Sequence, residues 1–423
     1  MPAMTDLDAL RLAVLAAPDD DLPRLVYADC AEENGDPEYA EFIRAQIELA
    51  KTPEYEPFAV YCHTRRPEWV TGELWSDALP RRDASYEPVV WAERPFRRGF
   101  GWAVRAAHLP ALATAVPQLA SRDPIGELHL GTATLDQWRT FATYDWLPRV
   151  RSLVLAGISS PNEPLACLRD SPHLTEVTSL RLEHTNVPSL PFILEDLFAA
   201  PLGRRLTALA MRLGYASADE HIEAIASGGK VVLNDFDLYQ MGFGPAAARV
   251  FVDTKLAKQA EVLRLPGNPL QTSGVEILAA GVERVRVLDL SNTHLDADVA
   301  EALAGSPAFA VVRKLVLSRN RLGADAIKVI ARSPHLAGVR SLGLAMTHTD
   351  NAAVRSLRSG TIWPNLVELD LTGNPIDDGG ARFLLTAVPA PDLTSLRLPA
   401  RRLSDGMKAQ LRDKFGDAVG FAE

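Results

Sequence analysis

The sequence predicts an α/β solenoid, a stack of short strand-and-helix units, preceded by a small, mainly α-helical N-terminal domain. A pair of apolar residues separated by one position recurs at steps of 25 to 29 residues, and helical spacing follows most pairs. Such an array buries its core by stacking neighbouring units rather than by enlarging one globule. The eleven pairs begin at Leu128, Leu153, Leu180, Leu209, Phe236, Leu263, Leu288, Leu315, Leu342, Leu369 and Leu396.

Each pair reads as a short strand whose two apolar side chains point inward, while the residues beside them point outward. Five positions after the first apolar residue, the chain places side chains that can bond backbone groups where the strand turns away. These are Asn268, Asn320 and Asn374, with Thr185, Thr293 and Thr347 in other repeats. The unit length, the Leu-x-Leu strands and returns such as residues 323–327 resemble the ribonuclease-inhibitor type of leucine-rich repeat. The resemblance implies about eleven repeats over residues 110–423, with a parallel β-sheet on a concave face and helices on the convex side.

The first 51 residues predict three short helices, over residues 5–17, 22–33 and 37–51. Leu25, Val26 and Cys30 form the expected apolar stripe of the second helix. Gly35 is placed to end that helix, as glycine often does at a helix C-terminus.

Residues 54–84 are too apolar for a free linker and predict a further helix, interrupted near Pro67. The run from Phe96 to Val104 has strand composition with a bend at its glycines. We expect it to pair beside the first repeat strand, because the end of a stacked core would otherwise expose apolar surface and an unpaired edge.

Several motif blocks in this N-terminal region occur in one order: residues 16–29, 32–37, 40–46 and finally 96–100. Together they resemble the bacterial repeat-companion domain, a family found before leucine-rich repeats. Cys30 departs from the pattern, which more usually has an aromatic residue there. The resemblance implies a non-catalytic module of uncharacterised role over residues 1–109.

Charge and composition exclude several functions. The chain of 423 residues has a net charge of −10, and residues 1–110 hold 20 Asp and Glu against 12 Lys and Arg. An acidic chain is a poor partner for nucleic acid, whose phosphates need a basic footprint. No apolar run is long enough to cross a membrane, and Asp6 and Asp8 precede the first basic residue, unlike a secretory signal. Three widely spaced cysteines suit a reducing compartment, so we expect a cytoplasmic protein.

Few residues suggest chemistry. Cys62 adjoins His63, but neighbours in sequence project in different directions, so the pair is not a catalytic dyad. His294 and His348 lie two repeats apart, about 10 Å between their backbones, which is too far to share a metal ion. Glycines near 228 and 242 lack the remainder of a phosphate loop or dinucleotide fingerprint. We therefore expect no catalytic residue, no cofactor and no metal.

The outward strand positions are the best candidates for binding. Mixed charges with a tyrosine suit recognition of another protein, where arginine and tyrosine are favoured anchors. The candidates are Arg181, Glu183, Arg212, Asp235, Asp237, Tyr239, Arg264, Asp289 and Lys314. The favoured hypothesis is a non-catalytic scaffold that binds a protein partner there. A merely solvated face and a thiol-dependent enzyme or effector using Cys30 or Cys62 remain as alternatives. The irregular repeats over residues 206–262 are either sequence drift or a functional adaptation.

Overall fold

The computed structural model describes residues 6–72, 89–158, 162–184, 189–214, 217–386 and 393–422. It contains two compact units. The first comprises Met1–Glu54, Tyr61–Ile193 and Ala200–Leu206, and the second comprises Tyr55–Val60, Leu194–Ala199 and Thr207–Glu423. The domain boundary expected between residues 109 and 110 stays a prediction.

Helices of one to about four turns recur along the chain. They are α1 (Asp6–Ala16), α2 (Leu22–Glu33), α3 (Pro37–Lys51), α4 (Pro57–Arg65), α5 (Pro67–Thr71), α6 (Leu112–Leu119), α7 (Leu135–Phe141), α8 (Asn162–Arg169), α9 (Leu190–Ala199), α10 (Pro201–Arg205), α11 (Ala218–Ser227), α12 (Pro245–Asp253), α13 (Leu256–Gln259), α14 (Gln271–Gly281), α15 (Val299–Gly305), α16 (Gly323–Arg332), α17 (Asn351–Arg358), α18 (Asp378–Leu385) and α19 (Asp405–Phe415). The three predicted N-terminal helices are confirmed as α1, α2 and α3. The helix expected over residues 54–84 is α4 followed by α5, with the break at Arg66, and residues 73–84 lie outside the described residues.

The buried face of α2 differs from the predicted stripe. Val26 is 42% exposed and Cys30 is half-buried, whereas Arg24 and Tyr27 are buried together with Ala28 and Ala31. The physical reason is aromatic packing: the Tyr27 ring meets the Phe100 ring edge-on at 5.2 Å between centroids. The Arg24 guanidinium lies 5.6 Å from the centre of that same ring. A helical wheel of apolar residues alone could not include an arginine in the core.

The strands of the first unit are β1 (Val89–Trp91), β2 (Phe96–Arg97), β3 (Phe100–Gly101), β4 (Ala103–Ala106), β5 (Glu127–Leu130), β6 (Ser152–Ala156) and β7 (Ser179–Glu183). β1 pairs antiparallel with β4, and β2 with β3 forms a small hairpin at Arg98 and Gly99. β4, β5, β6 and β7 are parallel neighbours in that order. Val104 lies opposite Leu128, so the expected pairing beside the first repeat strand is confirmed.

The second unit contains β8 (Ala208–Arg212), β9 (Asp235–Leu238), β10 (Val262–Arg264), β11 (Val287–Asp289), β12 (Lys314–Val316), β13 (Ser341–Gly343), β14 (Glu368–Asp370), β15 (Ser395–Pro399) and β16 (Val419–Ala422). Each strand is parallel to the next along the chain. The register places the first apolar residue of each repeat opposite the same residue of its neighbour, for example Leu288 opposite Leu315. Both are at most 1% exposed, which confirms the inward direction of the apolar pairs.

Buried polar side chains hold the turns that follow β10 to β14. The Asn320 amide oxygen accepts hydrogen bonds from the amides of Thr293 and Leu295, at 3.0 and 3.1 Å. Its amide nitrogen donates to the carbonyls of Leu290 and Leu317. Asn268 and Asn374 make the equivalent bonds in their repeats. The predicted backbone-bonding role of these asparagines is thus confirmed.

The threonines at this position act more simply. Thr293 and Thr347 donate to the carbonyls of Leu290 and Leu344 at 2.6 and 2.7 Å. The Thr347 hydroxyl also lies 2.7 Å from the Thr349 hydroxyl. Thr185 lies outside the described residues. Along the second unit, asparagine and threonine therefore alternate from Asn268 to Asn374, and each asparagine joins two adjacent repeats.

Helices connect these strands and cover one side of the sheet. The buried residues of α16 are Ala326, Ile327, Ile330 and Ala331. Their spacing of one, three and four positions places them on one face of the helix, which leaves its charged residues exposed. Over the described ranges, no helix is both long and apolar enough to cross a membrane.

Candidate interaction surface

The outward strand residues proposed from the sequence alternate with buried apolar residues in both units. We call the nine of them the strand-face residues. Arg181 and Glu183 belong to β7 in the first unit, and the other seven lie on or directly after β8 to β12 in the second unit. Whether any of them contacts a partner stays a prediction.

In the second unit, four charged strand-face residues and Tyr239 form a cluster across neighbouring strands. Arg212 Nη2 lies 3.2 Å from Asp237 Oδ2, and Arg264 Nη1 lies 3.2 Å from Asp235 Oδ1. The Arg212 guanidinium also lies 5.8 Å from the centre of the Tyr239 ring, a cation–π distance. The two arginines and two aspartates balance each other, so the cluster offers donors, acceptors and an aromatic ring without net charge.

The ion pairs of this cluster are only partly shielded. The side chains of Arg212 and Asp235 are each 41% exposed, whereas those of Arg264 and Asp237 are 29% and 17% exposed. Solvated pairs of this kind contribute about 1 kcal/mol or less to stability. Because breaking these ion pairs costs little free energy, the arginines and aspartates can bond the polar groups of a partner instead of each other.

Asp289 has a more restricted environment. Its carboxylate accepts hydrogen bonds from the Ser291 amide at 2.8 Å and from the Ser291 hydroxyl. Burial raises the pKa of Asp289, although the Ser291 bonds and the charges of Arg264 and Lys314 act in the opposite direction. The register places Asp289 opposite Arg264. The Asp289 side chain therefore bonds the backbone where β11 ends, and it places a further charge beside Arg264 of the cluster.

Two charged pairs lie on strands of the first unit. One is weaker than those of the cluster, and the other was not predicted from the sequence. Arg181 Nη1 and Glu183 Oε1 are 3.9 Å apart, too far for a direct hydrogen bond. On β5, His129 Nε2 lies 2.6 Å from Glu127 Oε1. Burial would raise the pKa of Glu127, but the hydrogen bond and charge of His129, together with the Ser152 hydrogen bond and the Arg181 charge, hold that pKa below its usual range. Their spacing of two residues on a strand was the available signal.

The later repeats contain a second missed group. Arg397 Nη2 lies 3.4 Å from Glu368 Oε1 and 3.2 Å from Asp370 Oδ2. Ser341 donates a hydrogen bond of 2.6 Å to the other oxygen of Glu368. Asp370 and Arg397 occupy the same place between two leucines as Asp289, so the repeat pattern already marked them.

The cysteines are not arranged for nucleophilic chemistry. Cys62 is fully buried on α4, and burial raises the pKa of its thiol to about 11. Cys30 is half-buried on α2, with Asn34 Nδ2 3.4 Å from its sulfur. Its neighbour Asp29 is paired with Arg44 at 2.6 Å. Cys167 is also half-buried, and burial raises the pKa of that thiol.

Three histidines of the second unit were examined as possible metal ligands, and they lie in different surroundings. His294 and His348 are exposed at turns with positive φ angles of 60° and 61°. His221 is buried on α11, its Nδ1 lies 2.7 Å from the Ser217 carbonyl, and burial lowers its pKa. Within the described ranges, no three His, Cys, Asp or Glu side chains are grouped to hold a metal ion.

Comparison with known protein families identifies one of the repeats. The family described as "Leucine Rich repeat" matches residues 364–385, which span β14 and α18. The fold is a leucine-rich-repeat solenoid. No curated protein matches the chain significantly.

Similar solved structures include the Rad7 and Elc1 complex in yeast, at a TM-score of 0.43 and 16% identity, covering 70% of this chain and 83% of that chain. An internalin from Listeria monocytogenes has a TM-score of 0.41 and 14% identity, covering 74% and 95%. A protein from Bacteroides fragilis has a TM-score of 0.34 and 13% identity, covering 72% and 75%. Because these TM-scores are low, the fold assignment depends on the strand register and the matched repeat.

Proposed function

We propose that this chain is a non-catalytic protein-interaction scaffold, and that a protein partner binds the concave face of its repeats on the strand-face residues. The observation that carries the proposal is the cluster on β8 to β10, where two arginines, two aspartates and Tyr239 project from the sheet in register. The apolar residues between them are buried and form the core without these side chains.

The composition of the cluster favours a protein as its ligand. Arginine and tyrosine are over-represented among the residues that dominate binding energy at protein interfaces. Tyr239 is 39% exposed and so offers apolar area that a partner would bury. The alternating charges favour a partner whose own surface carries both signs, because like charges brought together would weaken association.

The remaining parts of the chain fit a cytoplasmic scaffold of this kind. In this proposal, residues 1–109 are a non-catalytic companion module of the type that their motifs resemble, and the segment ending in β4 caps the array. The stacking of β4 on β5 supports the capping role, since Val104 covers the strand edge beside Leu128.

The experiment is affinity capture with the full chain, in which interacting proteins are cross-linked and quantified by mass spectrometry. We expect the double variant Arg212→Glu/Arg264→Glu and the single variant Tyr239→Ala each to reduce at least one captured protein by about tenfold, as loss of an interface anchor does. The matched control, Arg249→Glu/Arg284→Glu, changes the net charge equally on exposed residues elsewhere in the second unit.

Circular dichroism melting identifies variants that no longer fold. Tyr239→Ala is the safer of the two tests, since it removes no ion pair. If folded strand-face variants keep every captured protein, or the control loses the same proteins, the proposed binding face is wrong.

A further inference from the structure

A groove of about 560 Å³ lies between two neighbouring helices on the helical side of the second unit. Its walls come from α16 and α17, and small residues line it at the start of each helix. The lining residues are Ala324, Asp325, Lys328, Arg332, Ala352, Arg355, Ser356, Arg358 and Ser359. Those of α16 recur at one, four and eight positions after Ala324, so they share one face of the helix.

The groove is strongly basic although the chain is acidic. Four cations, Lys328, Arg332, Arg355 and Arg358, stand against one carboxylate, Asp325, a local charge of +3 in a chain of −10. All five side chains are exposed. Among the residues that the structure describes, none of the four cations has a carboxylate within ion-pair distance. Positive charges brought together on two helix faces repel each other, and a bound anionic ligand would offset that repulsion.

The core packing of the two helices does not involve these four cations. Both helices pack through other faces, α16 through Ile327 and Ile330 and α17 through Val354 and Leu357. Arg355 lies 5.8 Å from the centre of the Phe383 ring, and Arg358 donates one hydrogen bond of 3.0 Å to the Thr386 carbonyl. A guanidinium has five N–H donors, so Arg358 keeps several for a ligand.

We propose that this groove binds an acidic peptide segment of another protein, a short run of aspartate or glutamate side chains. Charge complementarity selects the anion, and arginine favours carboxylates through paired N–H donors. A peptide fits better than a nucleic acid because the groove is narrow, with walls from only two neighbouring helices. The acidic remainder of the chain would also repel a phosphate backbone that extends beyond it.

The groove has a direction. Each helix follows one of two parallel strands, so α16 and α17 begin at the same end. Asp325 lies in the first turn of α16, whereas Arg332 and Arg358 lie in the last turns of the two helices. The carboxylates of the peptide therefore lie towards the helix C-termini. Asp325 repels an acidic residue at the other end of the groove and so weakens its binding.

Fluorescence anisotropy with a labelled hexaglutamate peptide, at low and high salt, tests the site on the full chain. We expect the variant Arg332→Glu/Arg355→Glu to lose on the order of tenfold in affinity, and Asp325→Asn to gain about twofold to threefold, with both differences shrinking in high salt. Arg249→Glu/Arg284→Glu is the control with the same change in net charge, and its affinity should match the unmodified chain.

The proposal would be overturned if the unmodified chain did not bind the peptide detectably, or if the groove variant and the control lost affinity equally. Tighter binding of a DNA duplex than of the peptide would also overturn it. So would self-association at low salt that the groove variant abolishes. The last would assign the groove to a second copy of this chain. The strand-face variant Arg212→Glu/Arg264→Glu should keep its affinity for the peptide, so failure of this site and failure of the proposed scaffold face are distinguishable. Circular dichroism confirms that each variant is folded.

Discussion

At the scale of single residues, Asp289 shows how a strand-face side chain can combine a structural and a surface role. Its bonds to Ser291 satisfy the backbone where β11 ends, and its charge lies opposite Arg264. Burial makes ionisation of this carboxyl unfavourable and so raises its pKa. The charge is therefore retained at a cost to the folded state, as is common for groups that serve binding.

This cost predicts a pH-dependent effect of Asp289→Asn. A carboxyl whose pKa is raised by folding destabilises the folded protein once pH exceeds the ordinary aspartate value, and the cost disappears when pH falls below it. We expect Asp289→Asn to unfold at higher urea concentration than the unmodified chain at pH 7, and the difference to vanish near about pH 3 to 4. The asparagine oxygen can still accept the Ser291 bonds.

Urea denaturation followed by circular dichroism at several pH values measures the difference. Asp253→Asn, at an exposed position, controls for the change in net charge. If Asp289→Asn is less stable by the same amount at every pH, the lost interactions matter more than the burial of the charge.

At the scale of elements, the asparagines after alternate strands join one repeat to the next. Asn320 satisfies two amides and two carbonyls in a buried turn. Because these groups are buried, the two amides and the Leu317 carbonyl would lose their hydrogen-bond partner without the asparagine, whereas the Leu290 carbonyl would keep the Thr293 hydroxyl. Stacked repeats contact only their neighbours, so such a link contributes directly to the stability between repeats.

Asn320→Ala should therefore lower the free energy of unfolding by about 3 kcal/mol or more, since each buried unsatisfied group costs about 1 to 3 kcal/mol. Asn320→Thr should cost less, because a threonine hydroxyl in this place donates to one carbonyl, as Thr293 does. Urea denaturation measures both. Asn365→Ala is the control, since this exposed side-chain amide donates to the Ala337 carbonyl, and its loss should cost less than about 1 kcal/mol. Equal stability of the Asn320 and Asn365 variants would contradict the linking role.

At the scale of the whole molecule, the distribution of thiols separates a scaffold from a thiol-dependent enzyme. A nucleophilic cysteine needs a thiolate and access to solvent. Cys62 has neither, because it is fully buried and its pKa is raised to about 11. At pH 7, about one molecule in ten thousand would carry this thiol as a thiolate.

A thiol-reactive dye should accordingly leave Cys62 unlabelled in the folded chain and label it only in urea. Cys30 and Cys167 are half-buried and should react, slowly, without loss of any captured partner. Comparison with Cys62→Ser assigns the third thiol in mass spectra. Rapid labelling of Cys62 in the folded chain would favour the thiol-dependent alternative.

The sequence by itself determined the parts of this protein that follow from periodicity. Leu288 and its equivalents had to be buried because their spacing of two within a repeat of about 27 residues allows one inward face. The backbone-bonding role of Asn320 followed in the same way from its fixed offset from the strand. The bounds of α2 and α3 were set by local capping signals and proline.

Only the tertiary structure decided which side chains meet. Arg212 reaches Asp237 in the next repeat, while Arg264 reaches back to Asp235, and periodicity cannot distinguish these choices. The burial of Arg24 likewise depends on Phe100, which is distant in sequence. The basic groove exists because α16 and α17 lie side by side. The physical reason is common to all of these: a repeat sets the direction of each side chain, but pairing depends on register and reach between elements.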